Sequence, residues 1–176
     1  MSTRRLLMIA FAVTITFVQE QMLLLLPNIQ LTIVLMFVFV SVFTWKESVM
    51  YILVYVILDN LYLGGFSLFN LIPMLFAWNL IPFVYNVILK RTTNEHTLAW
   101  VALAFGFVYS WSFIPGAIIM YGFGDVWQLY IVSDLIFEVV LGLTGFVTVL
   151  WLYKPLLHTM YRLQYGRPLA TIKQQA

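Results

Sequence analysis

Of 176 residues, 63% are hydrophobic and only 9% are charged, and the mean hydropathy is +0.97. A soluble domain clothes its surface with about 25% charged residues; nine basic and seven acidic side chains cannot do this, so the apolar excess must face lipid. A net charge of +2, scattered along the chain, excludes a nucleic-acid surface, and the absence of cysteine excludes disulfides, thiolate metal sites and cysteine nucleophiles.

A membrane span takes about 20 residues, so six spans would use roughly 120 and leave only short connections. Punctuation by proline, glycine and charge divides the chain into segments at about 5–26, 29–44, 48–63, 71–89, 97–121 and 126–153. The first follows Arg4 and Arg5 and runs to Leu26 without a small-residue cleavage site, so it reads as a retained helix and not a signal peptide. Pro27 and Asn28 end it, because proline brings no donor and restricts its predecessor. The boundary between the second and third lies in Thr44-Trp45-Lys46-Glu47, and Gly64-Gly65 closes the third. Tyr121-Gly122-Phe123-Gly124-Asp125 separates the last two. The fold predicted is an all-α integral membrane protein, a compact six-transmembrane-helix bundle forming one domain over residues 1–176.

Six spans place Arg4, Arg5, Lys46, Lys90, Arg91, Lys154, Arg162, Arg167 and Lys173, the complete basic set, on the side of the N-terminus. The positive-inside rule then makes both termini cytoplasmic. Of the acids, Glu47 and Glu95 fall in cytoplasmic turns and Asp125 in an outer loop. Glu20, Asp59, Asp134 and Glu138 fall inside spans, in their outer halves or near mid-depth. Asn28, Gln30, Asn60, Asn70 and Asn79 gather on the same side, as do Gln19 and Gln21. An ionisable group in a span costs about 2.5–3.5 kcal/mol on insertion scales and usually faces the bundle interior or a wet cavity. With no lysine or arginine in the outer half, these carboxyls need an amide, a hydroxyl, a proton or a ligand donor. Tyr62, Phe66, Trp78, Tyr109, Trp111 and Trp127 lie at or above this layer and supply the apolar walls of a small-molecule pocket. On the sixth helix Trp127, Ile131, Asp134, Glu138, Gly142 and Gly145 share one stripe.

Small residues recur at four-residue spacing in Ala10 and Thr14, flanked by Ala12 and Thr16, and again in Ala102, Gly106 and Ser110. Such stripes serve either internal packing or docking of another membrane protein. No phosphate-binding P-loop is present, His96 and His158 fall at the cytoplasmic surface, and no Ser–His pair or HExxH motif occurs. Nothing flanks Asp59 or Asp134 in the manner of an aspartyl protease. The reading is a protein that is not an enzyme and carries neither metal nor cofactor.

Four stretches carry a resemblance: Leu26-Pro27-Asn28-Ile29-Gln30-Leu31-Thr32, Leu58-Asp59-Asn60-Leu61-Tyr62-Leu63-Gly64-Gly65-Phe66, Asp134-Leu135-Ile136-Phe137-Glu138 and Trp151-Leu152-Tyr153-Lys154-Pro155-Leu156. With the hydropathy pattern they cover nearly the whole chain, which resembles the substrate-binding S component of energy-coupling factor (ECF) vitamin transporters. The resemblance implies a bacterial plasma-membrane protein that captures a vitamin from outside. It implies partnership with a transmembrane coupling subunit and two cytoplasmic ATPases, and toppling in the bilayer to release the cargo inward. Docking in that family uses Ala-x-x-x-Ala on the first helix, where this chain has Ala10 and Thr14. An acidic, amide-rich and aromatic pocket without a basic group suits a neutral or cationic, donor-rich ligand. Cobalamin is the best match, a pyridine or pyrimidine vitamin is next, and pantothenate, with its carboxylate, is a weaker alternative. The competing readings are a stand-alone proton- or cation-coupled secondary transporter with Asp134 and Glu138 as relay, and a non-transporting membrane assembly or sensor protein.

Overall fold

A computed structural model describes residues 2–26, 28–62 and 67–165, with the side chains of 125–131 and 165 left out of the description. Among the described residues all regular structure is helical. Helix α1 (Thr3–Met22) starts at Ser2, whose hydroxyl accepts the Arg5 N–H. Helix α2 (Thr32–Val42) is apolar on every side apart from Thr32 and Ser41, and every one of its residues is buried. A helix that is hydrophobic all round belongs in the middle of a bundle, and α2 packs against α1, α3, α4, α5 and α7.

Helix α3 (Trp45–Tyr62) begins three residues before the predicted 48. Glu47 reaches back to Thr44 there, as the acidic half of a capping box does: the Thr44 N–H and hydroxyl both donate to Glu47 Oε2, at 2.8 and 3.0 Å. Helix α4 (Leu68–Phe83) contains Pro73 and Pro82 and runs on into a π-helical turn, Val84–Ile88. The predicted single segment 97–121 is two helices, α5 (Glu95–Trp111) and α6 (Ile114–Tyr121). Pro115 explains the break, since its ring would clash with the carbonyl four residues back, that of Trp111. Helix α7 (Asp125–Tyr165) does not stop at 153 but continues through Pro155 to Tyr165.

Polar contacts gather the basic residues at one end. Arg5 pairs with Glu47 at 3.3 Å, tying the start of α1 to the start of α3. Arg91 donates to the carbonyls of Ser41 and Phe43 at 2.9 and 3.3 Å, capping α2, and lies over the Tyr85 ring. Lys90 and Arg91 both adopt positive φ, +46° and +59°, in the turn that permits this. Lys154 reaches Glu95 at 2.6 Å, and Arg4 donates to the Leu163 and Gln164 carbonyls at the end of α7. The start of α1, the α2–α3 turn, the α4–α5 turn and the last part of α7 therefore share one end of the bundle.

Among the described residues, four helical stretches are long and apolar enough to cross a membrane: Thr3–Met22, Leu68–Ile88, Glu95–Tyr121 and Val132–Gln164. Helix α2, with 11 residues, covers about 16 Å, and α3 carries Lys46, Glu47 and Asp59.

Helices α5 and α7 meet through glycine. A Cβ on Gly106 would lie 2.5 Å from the Gly142 nitrogen and 3.0 Å from the Glu138 carbonyl oxygen. Gly145 faces Ala102 and Ile33. The Ala102–Gly106 stripe is thus internal packing. On α1, by contrast, Ala12 and Thr16 are buried while Ala10 and Thr14 are exposed.

Candidate functional site

At the end opposite the basic residues, α1 and α3 face each other through polar side chains one turn apart. Thr16 and Tyr51 share a hydrogen bond of 2.6 Å. One turn further, the buried Tyr55 hydroxyl donates to the Glu20 carboxylate. A turn beyond that, Asp59 is only 2% exposed, lies within electrostatic reach of Glu20, and accepts a long 3.5 Å contact from Gln21 Nε2. Gln21 Oε1 is buried without a donor. Two carboxyls and a free amide oxygen thus converge with one hydroxyl and one amide to donate to them. Every described lysine and arginine is at the other end.

The connection from α1 to α2 roofs this group. Gln19 holds it down: its Oε1 accepts the Leu31 N–H at 2.9 Å and its Nε2 donates to Thr32 Oγ1 at 2.8 Å. Asn28, at φ +60°, turns the chain in the left-handed region that asparagine tolerates better than most residues. Glu20, Asn28 and Gln30 line a cavity of about 140 Å³ with Leu24 and Ile29 among its apolar walls. Behind the carboxyls stands an aromatic wall. Trp78 is fully buried and packs on Tyr55, Phe105 and Tyr109 with ring centroids 6.0, 5.2 and 5.0 Å away. Its indole N–H finds no acceptor.

The remaining predicted residues do not join this group. Trp111 hydrogen-bonds Glu138, and Asp134 lies within electrostatic reach of Glu138. Glu138 is 1% exposed, and its Oε2 has no donor. Tyr109 and Trp111 lie two positions apart on α5, about 200° around the helix. One therefore faces α4 and the other reaches α7, and the expected single pocket is two separate groups. Asn60 is buried and engaged with the Val56 carbonyl and Met74 Sδ; Asn79 bonds back to the Leu75 carbonyl. Asn70 is exposed, and Tyr62, 59% exposed, packs edge-on against Phe17. Phe66 and the Trp127 side chain lie outside the described residues. Tyr55, Tyr51 and Gln19 were not singled out from sequence as site residues, although Tyr51, Tyr55 and Asp59 repeat at the four-residue spacing of one helix face.

A broad apolar groove of about 760 Å³ lies elsewhere, between α4 and α5–α6, with Ile72, Phe76, Val108, Trp111 and Ile119 among its walls. Among the described residues no group of three or more His, Cys, Asp or Glu is placed to hold a metal. Comparison with known proteins finds no match: no family model, no curated protein and no solved structure.

Proposed function

We infer that this chain is a membrane-embedded capture subunit for a small, donor-rich solute, of the kind that the S components of ECF importers represent. The observation that carries the reading is the Glu20–Asp59 carboxyl pair, which has no basic partner: Asp59 is buried, and Glu20, half-buried, lines the cavity that Asn28 and Gln30 share. Acceptors assembled at such cost in a span call for a ligand that brings donors. In this reading the chain crosses the membrane six times, its basic end is cytoplasmic, and the Glu20 cavity faces outward. The exposed pair Ala10 and Thr14 docks the coupling subunit.

The cavity bears on the ligand. About 140 Å³ falls below the 300–1,000 Å³ of pockets that enclose drug-sized molecules. That favours a compact heterocycle, a pyridine or pyrimidine vitamin, over a corrinoid. Calorimetric titration of the purified chain with a panel of vitamins tests this. A compact cationic or amine-bearing member should bind, and Glu20→Gln should weaken it about tenfold to a hundredfold, the value of a hydrogen bond to a charged group. Binding unaffected by Glu20→Gln and Asp59→Asn alike removes the site from the reading.

A proton-coupled carrier working alone is the second reading. It is favoured by Glu138, whose buried oxygen lacks a donor beside Asp134. Uptake by this chain in vesicles without any ATPase would select it.

A further inference from the structure

We propose that the cleft between the first turns of α1 and the last turns of α7 binds one anionic phospholipid, with the phosphate on Arg4 and an acyl chain along α1. The proposal rests on the membrane reading of the chain, is independent of its substrate, and concerns the chain free of a coupling subunit, since the lipid's path passes Thr14 on the proposed docking face. The cleft has a volume of about 230 Å³ and is apolar except at one point: Leu7, Met8, Phe11, Phe39, Met160 and Leu163 surround it, and Arg4 closes its outer end. Tyr153 bonds Ser41 of α2 at 2.8 Å, yet ten residues later Leu163 lies against α1. The part of α7 beyond Pro155 thus crosses toward α1 and forms the second wall.

The charge is placed for a head group. Arg4 is exposed, and its Nη2 serves the Leu163 and Gln164 carbonyls. A guanidinium has five N–H donors in a planar fork suited to phosphate, so three remain on Nε and Nη1. The apolar path continues inward. Phe11 also borders a shallow hollow of about 350 Å³ that runs along Thr14, Ile15, Val18 and Met22. From Arg4 to Val18 a helix rises about 21 Å, more than the roughly 15 Å that one leaflet contributes to a hydrocarbon core of about 30 Å. An acyl chain whose phosphate sits at Arg4 therefore has apolar contact to its full depth, and a zwitterionic lipid, which bears the same phosphate, would also bring its own cation toward the guanidinium. Other occupants fit less well: a soluble anion has no use for the apolar cleft, and a purely apolar chain has none for Arg4.

Native mass spectrometry of the full chain, released from micelles containing equal phosphatidylglycerol and phosphatidylcholine, tests the site. The wild type should retain phosphatidylglycerol about fivefold over phosphatidylcholine, the effect expected of one basic side chain near an anionic head group. Arg4→Gln should abolish the preference, and Leu163→Trp, which fills the cleft without altering charge, should abolish retention of either lipid. Should Leu163→Trp fail to fold by circular dichroism, Leu7→Trp fills the cleft from the opposite wall. Equal retention of the two lipids by the wild type overturns the proposal. So does a phosphatidylglycerol preference that survives Arg4→Gln or the folded cleft-filling variant, since that is diffuse attraction to a basic surface.

Discussion

Replacing Gly106 with alanine probes the contact that sets α5 against α7. The added Cβ would stand 2.5 Å from the Gly142 nitrogen, 2.6 Å from its Cα and 3.0 Å from the Glu138 carbonyl oxygen, where ordinary contact begins at 3.4 Å. All three obstacles are backbone atoms, so no side chain can rotate away and the helices must part. Overpacking costs about 1–3 kcal/mol, and contacts with backbone that cannot yield belong at the upper end, which the roughly 1 kcal/mol that alanine gains over glycine in a helix offsets only in part. Gly142→Ala meets the Leu103 carbonyl oxygen at 2.7 Å and should behave similarly. Gly145→Ala is the internal control. Its nearest neighbour, at 2.9 Å, is the terminal methyl of Ile33, which can yield, and the next contacts are at 3.4 Å. Thermal unfolding of the detergent-solubilised chain should show Gly106→Ala lowering Tm by several degrees, about 2–4 °C per kcal/mol for a chain of this size, with Gly145→Ala near neutral. A Gly106→Ala variant as stable as the wild type, or a larger loss at Gly145, would refute the close approach of these two helices.

Further predictions concern the polar groups. Tyr55→Phe removes a donor to the Glu20 carboxylate and should cost about 1.5–3 kcal/mol, more than the roughly 1 kcal/mol for Tyr51→Phe, whose partner is the neutral Thr16; equal losses in chemical denaturation would mean that Glu20 does not depend on Tyr55. Arg91→Ala uncovers the Ser41 and Phe43 carbonyls at the end of the buried helix α2 and should lower stability by about 1–3 kcal/mol, while an unchanged melt would show that water replaces the cap. Lys154→Ala breaks only an exposed pair with Glu95, and its melt should match the wild type. Ala10→Trp and Thr14→Trp change exposed positions on α1, so they should leave the isolated chain as stable as before and abolish co-purification with a coupling subunit. A loss of stability in these two variants would mean that the stripe packs internally.

Much of this architecture is written in local patterns. The apolar run Ile33–Val40 marks a helix buried on all sides, and the one-sided distribution of lysine and arginine matches the end at which Arg4, Arg5, Arg91 and Lys154 are found. The start of α3 lies within Thr44-Trp45-Lys46-Glu47, where the boundary is expected, and the spacing Thr44-x-x-Glu47 is the local signal that sets it at Trp45. Pairing between distant helices was not legible. Gly142 and Gly145 share a stripe with Glu138, and Ala102 and Gly106 form another, yet no local signal says that the two stripes face each other. For the same reason Glu138 looked like part of the layer that holds Glu20. Depth in a bilayer follows from counting residues, but azimuth around the bundle follows from which helices touch. Tyr109 and Trp111 sit at one depth and serve different groups.

Mass spectrometry of the small molecules released from the purified, detergent-solubilised chain tests the central claim most directly. The account predicts a stoichiometric, compact, amine-bearing heterocycle in the wild type, absent from Glu20→Gln prepared in the same way. A ligand retained equally by both proteins, or none from either after growth with a full vitamin panel, would contradict it.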